Sequence, residues 1–454
     1  MKRLSAVCIF FVILCFARPV GAQEAGYDPN RLFPADTLKA DLHFLQRKLE
    51  HIHPVLYRYT TRQVFNTFLD SISGAIVRPM REQEFLSLVS LLNAKVCDGH
   101  TMMLPSEGAM EYNNTQALLL PFSVCFLNEK LYITENCSAD SSIQAGNEVL
   151  RINGLETQAV MKQLLQRQIR DGHNQTYPLW ILNHYFPSYY LFAFGESALL
   201  DLELKNSRGE TFRRQVAGLR KDSIRQYRRA RYQSTAPNAG MQHGITLETI
   251  TEGKTAVLTI KSFDSSLIRD QYGQDFNRTI DSIFNELQAH PVKELLLDLR
   301  DNQGGDFETG RYLLSYLLTR PTRYLIGGAE AKLIKPHTKR FTGSLYVLIN
   351  GGSFSNTAIV SASLAQAKRA LFIGEESGGN QYMICGNPTL ITLPHTRLQT
   401  YISTTNFRIS TAPNEGRGII PDEPVVISLQ ELMTGRDITR EKALQLIATP
   451  KIHQ

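Results

Sequence analysis

Hydrophobic positions in this chain change their period as the sequence proceeds, and each change marks a different kind of structure. Between Asp36 and Ala94 they recur at three and four residues, as in Leu38, Leu42, Leu45 and Leu49, which is the spacing of one helix face. Asp36 and Thr37 can cap that helix and Pro54 ends it. Further helices are expected near 62–73 and 82–94. From 115 onward, short apolar stretches bounded by turn residues predict strands. Leu118 to Phe126 and Lys130 to Thr134 read as a hairpin around Asn128-Glu129. An aromatic run, Trp180 to Phe194, reads as core or interface. From Gly244 strands alternate with helices. Strands are expected at 255–263, 292–299, 345–349 and 370–374, and helices at 270–289, 310–318 and 358–367. The strands are apolar almost without a break, VKELLLDL above all. Strands of that kind are buried on both faces, so the pattern predicts a largely parallel sheet covered by helices, an α/β core.

Composition adds bounds. The 454 residues are 43% hydrophobic and 20% charged, enough for a sizeable core and more than one domain. The formal net charge of +6 is small for this length. The one basic run, Arg225, Arg228, Arg229 and Arg231, reads as a solvated helix face or linker, and no nucleic-acid partner is expected. Residues 1–22 read as a leader: Lys2 and Arg3, then an apolar Leu4 to Ala17, then the small-x-small pattern of Val20-Gly21-Ala22. Export to the periplasm or beyond is expected, with Gln23 as the mature N-terminus. Neither Cys8 nor Cys15 is placed for lipidation, and no other stretch reaches about 18 uninterrupted apolar residues, so no stable membrane anchor is expected. Cys97, Cys125, Cys137 and Cys385 remain. Cys125 and Cys137 lie on neighbouring predicted strands and could pair, or all four could be thiols.

Candidate chemistry centres on LYVLINGGSFSNTAIVSAS, Leu345 to Ser363. An apolar strand breaks at Asn350-Gly351-Gly352, and Ser353, Ser355 and Thr357 then open a helix of small residues. A hydroxyl at the tip of such a strand-turn-helix lies beside unpaired backbone N–H groups, where a serine nucleophile and its oxyanion are served together. Alone, a serine there could equally be a helix cap. A second glycine turn follows the strand VKELLLDL, in Asp298-Leu299-Arg300-Asp301-Asn302-Gln303-Gly304-Gly305. It lacks the Gly-Lys-Ser/Thr of a nucleotide loop. His51-x-His53 has metal-ligand spacing without a third ligand cluster, and His53-Pro54 reads as a helix stop, so neither metal nor cofactor is expected.

Taken together, DLRDNQGG, NGGSFSNTA, Ile373 to Gly379, Ile391 to Pro394 and Glu415 to Asp422 resemble, in order and spacing, the tail-specific (C-terminal processing) serine protease family. Ile143 to Gly154 resembles the PDZ signature, a module that binds extended peptide by strand addition. The resemblance implies a crotonase-like ββα core with an N-terminal helical domain and a PDZ-like β module. It divides the chain into a signal peptide (1–22), a helical domain (27–106), a PDZ-like domain (115–218), a linker (219–243) and a serine peptidase core (244–454). It implies Ser355 as nucleophile, with Ser353 and Thr357 as alternatives. The lysine that activates the serine in one subtype is missing, since no lysine lies between Lys368 and Lys442. The chain instead resembles the tricorn-core-like subtype, whose base is a histidine in a D-G-H-T turn. That implies His100 in Asp98-Gly99-His100-Thr101 as general base and Glu415 as its orienter, with Glu375 and Glu376 as competing acids. The oxyanion donors would be the N–H groups of Asn356 and of Gly304 or Gly305. The implied partner is a polypeptide substrate, unfolded or with an exposed C-terminus. Oligomeric state is left open. Two other readings stand beside it: an apolar-ligand or peptide-binding protein without catalysis, as in the retinoid-binding relatives of this scaffold, and an esterase.

Overall fold

A computed structural model describes residues 27–232, 243–250 and 254–448. The expected leader lies outside the described residues, as does part of the expected linker. Helix α1 (Ala35–Ile52) buries Leu38, Leu42, Leu45 and Leu49, as the spacing requires, and gives way to extended backbone at His53, the residue before Pro54. Helix α2 (Arg62–Ala75) starts where the Thr61 hydroxyl accepts the Val64 N–H. Helix α3 (Glu82–Val89) is shorter than its sequence suggests. It passes through a 3₁₀ turn, Ser90–Leu92, and a last turn, Asn93–Val96. The cause is visible at Asn93: its side-chain oxygen accepts the Met103 N–H and its amide donates to the Arg167 carbonyl. The helix therefore stops in favour of Cys97, in a left-handed conformation with φ 55°, and the chain turns through Asp98-Gly99-His100 into strand β1 (Met102–Leu104).

The second region is an antiparallel sheet, in the order β2 (Phe122–Leu127), β3 (Lys130–Asn136), β4 (Glu148–Ile152), β5 (Leu199–Lys205) and β6 (Thr211–Ala217). Asn128 and Glu129 both have positive φ, 50° and 63°, so the β2–β3 connection is the tight hairpin that the sequence predicts. Between β4 and β5 lie α4 (Thr157–Leu165) and α5 (Thr176–Phe194). The aromatic run is thus one long helix, kinked at Tyr185 two residues before Pro187. The stretch expected as linker contains a helix, α6 (Lys221–Tyr232). Two of its arginines are held by the sheet: Arg228 donates to Glu135 and Arg231 to the Asn136 carbonyl.

The third region is a six-stranded sheet: β7 (Ile245–Ile250), β8 (Thr255–Ile260), β9 (Glu294–Asp298), β10 (Ser344–Ile349), β11 (Ala370–Gly374) and β16 (Glu423–Pro424), side by side in chain order. Only the β7–β8 pair is antiparallel. Both faces are covered. Leu295, Leu297, Leu345, Val347 and Ile349 pack into one apolar cluster, and Leu296, Tyr346 and Leu348 into the other. The first cluster includes the helices α8 (Phe276–Ala289), α9 (Phe307–Leu317) and α10 (Asn356–Gln366). The second includes α11 (Ile438–Ala448). The helix expected at 270–289 is two helices, because α7 (Ser265–Tyr272) ends at left-handed Gly273 and Asp275 caps α8 anew.

Beyond β11 the chain forms two hairpin partners, β12 (Met383–Gly386) with β15 (Thr405–Arg408) and β13 (Thr389–Thr392) with β14 (Gln399–Ile402). Strand β14 also pairs with β1, Tyr401 opposite Met102. Leu393, Leu398 and Ile402 are almost fully buried in the same cluster as α1 and α2. Fully burying such a side chain contributes roughly 1.5–3 kcal/mol, so this contact is substantial. Asp41 on α1 closes it, with its buried carboxylate accepting the N–H groups of His395 and Thr396 and the Thr396 hydroxyl. Cys97, Cys125, Cys137 and Cys385 are free thiols, so the expected alternative of a Cys125–Cys137 pair is not formed. Among the described residues no helix is long and apolar enough to cross a membrane.

Candidate active site

Ser355 stands at the N-terminal end of α10, which is buried along its first nine residues, Asn356 to Leu364. Its backbone has φ 55° and ψ −124°, a conformation that non-glycine residues rarely adopt. It caps no helical N–H, so its hydroxyl is not held in a structural role by α10. The neighbouring candidates are held. The Ser353 hydroxyl donates to the Leu299 carbonyl and accepts the Asn350 N–H. The Thr357 hydroxyl donates to Asn302 Oδ1. Only Ser355 of the three faces a base: its Oγ lies 3.0 Å from His100 Nε2.

That contact is made across 255 positions of sequence. The His100 ring is fixed from one side by Phe354, with ring centroids 4.8 Å apart and planes at 26°. Phe354 in turn stacks on Tyr177 at 4.1 Å and 10°. Tyr177 belongs to α5, whose Trp180 donates from Nε1 to Asp301 Oδ1 at 2.7 Å. The aromatic run thus ties the second region to the turn that carries Ser355. Burial holds the His100 pKa below the usual histidine range, against the opposing pull of the Asp98 charge. The imidazole is therefore neutral at neutral pH, with a lone pair available to the Ser355 proton.

The acid is not where the sequence puts it. Glu415 is exposed, and no carboxylate of Glu415 lies within 4.0 Å of His100. The two competing acids are also elsewhere. Glu376 is clamped by Arg417 and the Gly418 N–H, and Glu375 is exposed, beside the Gly351 backbone. The carboxylate beside His100 Nδ1 is that of Asp98, with Oδ1 at 4.0 Å; among the described residues no other comes as near. Nδ1 itself is buried and has no hydrogen-bond partner. Asp98 is rigidly placed. It accepts the His100 N–H at 2.9 Å, the Thr101 and Ser403 hydroxyls at 2.6 Å each, and His53 Nε2 at 3.0 Å. Burial pushes its pKa up, but the hydrogen bond and charge of His53, the charge of His100 and the Ser403 hydrogen bond outweigh burial and hold it well below the usual carboxylate range, so it is ionised. The His53 tautomer follows from its contacts, because Nδ1 accepts the Val55 N–H and so Nε2 carries the proton.

Candidate oxyanion donors divide as well. The Gly304 N–H is taken by Asn302 Oδ1, which removes it from the candidates. The N–H groups of Gly305 and Asn356 have no acceptor among the described residues. A Cβ on Gly304 would meet Asn356 N at 2.6 Å and the Ser355 side chain at 2.9 Å, so the two glycine turns touch at this point. A cleft of about 800 Å³ opens from Ser355, lined by His100, Gly305, Phe307, Ile359, Ile384 and Phe407 among others. Among the described residues Met383–Gly386 pairs with β15 on one side only, and its Ile384, Cys385 and Gly386 line this cleft.

Several contributors escaped sequence reading. Asp98 is inside the motif that singled out His100 but was not assigned a role. The sequence marks His53 as a helix stop with metal-ligand spacing to His51, and Asn302 as part of a turn, and neither signal points to Asp98 or to the Gly304 N–H. Asp171, in the loop before α5, accepts the Gly99 N–H. His173 is exposed and packs edge-on against Tyr59, away from Ser355. His51 is exposed while His53 is buried, so that pair does not converge. His53, Asp98 and Cys385 do offer ligand atoms within 4.8 Å of one another. Both His53 nitrogens are already engaged, which does not fit a metal ligand there.

Residues 254–425 match the model of the family described as Peptidase family S41. No curated protein matches the sequence. Solved structures of the same fold include mature CPAF, 15% identical with a TM-score of 0.64, the match covering 91% of this chain and 97% of that one. A CPAF mutant is 14% identical with a TM-score of 0.67, covering 92% and 99%. A candidate peptidase from Parabacteroides merdae is 14% identical with a TM-score of 0.51, covering 91% and 97%.

Proposed function

We propose that this chain, a serine-type peptidase carrying a peptidase family S41 domain at residues 254–425, is exported and cleaves unfolded or C-terminally exposed polypeptides through an acyl-enzyme formed on Ser355. One observation carries the reading: Ser355 Oγ and His100 Nε2 stand 3.0 Å apart at the floor of an open cleft. Neutral His100 takes the Ser355 proton as Oγ attacks the scissile carbonyl. The ionised Asp98 carboxylate then faces the imidazolium that forms. The oxyanion is received by the N–H groups of Gly305 and Asn356. Imidazolium returns the proton to the departing amine, the peptide bond breaks, and water hydrolyses the ester by the same steps. A substrate held as an extended strand along Met383–Gly386 would bring its carbonyl over Ser355. The leader-like residues 1–22 support an exported site of action, and the PDZ-like signature at Ile143 to Gly154 supports polypeptides with exposed C-termini as substrates.

Labelling with a fluorophosphonate probe tests the reading. Wild-type protein labels on Ser355, and Ser355→Ala and His100→Ala do not. A wild-type protein that never labels would remove the peptidase proposal and leave a binding protein on the same scaffold. Turnover of casein against short-chain esters separates peptidase from esterase.

A further inference from the structure

Asp171 is buried in the loop between α4 and α5, a region that the proposed mechanism does not use. Its two carboxylate oxygens join two halves of the site. Oδ1 accepts the Gly99 N–H at 2.9 Å, within the turn that presents His100. Oδ2 accepts the Asn380 N–H at 3.3 Å, in the loop after β11. That loop lies under the nucleophile, since a Cβ on Gly379 would come within 3.1 Å of the Ser355 N. Neighbouring bonds reinforce the join: the Gly172 N–H donates to the Cys97 carbonyl and the His173 N–H to the Gly416 carbonyl. Asp171 also shares a cluster with Asp98 and His100 in which one ligand atom from each lies within 4.8 Å of the others. His100 Nδ1 is buried and unpartnered beside this pair of acids.

We infer that Asp171 is a positioning residue of the catalytic base: it ties the His100 turn to the loop beneath Ser355 and forms, with Asp98, an acid pair on the Nδ1 side of the imidazole. This rests on the serine-peptidase reading above. Burial, with the Asp98 charge second, raises the Asp171 pKa to about 7, while Asp98 stays ionised. Asp98 is the titratable group whose charge reaches Asp171, His100 lies in the same cluster, and Tyr59, Cys97 and Cys385 are near enough to feel the Asp171 charge. Below pH 7 the cluster carries one negative charge, that of Asp98; above it there are two. A second negative charge favours the imidazolium that forms as Ser355 attacks, so the rate rises through this range.

The test is the pH profile of kcat/KM on an unstructured peptide for full-length wild type and Asp171→Asn. Asparagine keeps the shape and cannot ionise. The ratio of wild type to variant is expected to grow on the order of tenfold between pH 6 and pH 8.5. A ratio that stays constant across pH reports a structural role only and overturns the inference. A second measurement needs neither activity nor the variant. In Ser355→Ala protein, the His100 imidazole is followed by NMR as pH rises. Two responses are expected, one at its own ionisation and one at that of Asp171, and a single step overturns the inference. If wild type fails to label with fluorophosphonate while the two-step titration is present, the peptidase reading fails and the acid pair stands.

Discussion

Replacing Asp98 by asparagine separates the acid in the structure from the acid in the motif. The perturbation removes one charge and little volume. Its effect on catalysis follows from the 4.0 Å between Asp98 Oδ1 and His100 Nδ1. Unit charges at that separation interact by about 4 kcal/mol at an effective dielectric of about 20. The interaction exists only while the imidazole is protonated, so it acts on the transition state and not on the resting site. A factor of ten in rate corresponds to about 1.4 kcal/mol, so Asp98→Asn is expected to slow acylation by on the order of 10³. Asparagine also turns a donor toward groups that all donate: His53 Nε2, the Thr101 and Ser403 hydroxyls and the His100 N–H. Breaking a buried charged network by removing one member costs about 3–5 kcal/mol of stability. The two effects are read separately by urea unfolding and by the fluorophosphonate labelling rate of the folded fraction. Glu415→Gln is the comparison, and because Glu415 is exposed its labelling rate is expected to stay within about threefold of wild type. A wild-type rate in Asp98→Asn together with a hundredfold loss in Glu415→Gln would refute the assignment.

Two further outcomes follow from the same geometry. In Gly304→Ala the new methyl would meet Asn356 N at 2.6 Å, on a residue whose φ is +91°, so labelling is expected to fall by about 10²–10³, the range for losing one oxyanion donor. Retained labelling would show that Asn356 is not such a donor. Because burial lowers the His100 pKa, the acid limb of kcat/KM is expected below pH 6.5: protonation as pH falls through that limb removes the base, and activity is lost on the acidic side only. In Asp171→Asn, which removes the second ionisation, a limb above pH 6.5 would mean that the Asp98 charge outweighs burial.

Sequence periodicity gave up the core sheet readily, because its strands are buried on both faces and their residues alternate between two apolar clusters, as Leu295, Leu296 and Leu297 do. Ser355 and His100, which the structure brings within 3.0 Å, each sit in a short motif whose backbone is special: a positive φ at Ser355 and a left-handed Cys97 just before Asp98. Helix breaks were legible less often. Asn93 and Gly273 end helices through a side-chain contact and a backbone conformation that the apolar spacing does not carry. The acid was misplaced for a plainer reason. Motif order fixes which residues lie near one another along the chain, whereas the carboxylate nearest Nδ1 is whichever one the folded turn brings round. Here that is the residue two positions before the histidine, held by donors from His53 and Ser403, far away on either side in sequence.

The base turn also depends on the core for its own shape. Strand β1, which begins two residues after His100, has no partner within the helical region; its partner is β14, from the third region. Ser403, one of the donors that fix Asp98, comes directly after β14, and its N–H is held by the Thr101 hydroxyl. The hairpin carrying β14 is in turn anchored on α1 through Asp41 and through buried Leu393, Leu398 and Ile402. The turn, the acid and the anchor are therefore one structural unit made from both ends of the chain. Loosening the anchor should disturb the 3.0 Å contact between His100 and Ser355 before it unfolds either region, because that contact relies on the docking while each region keeps an apolar core of its own.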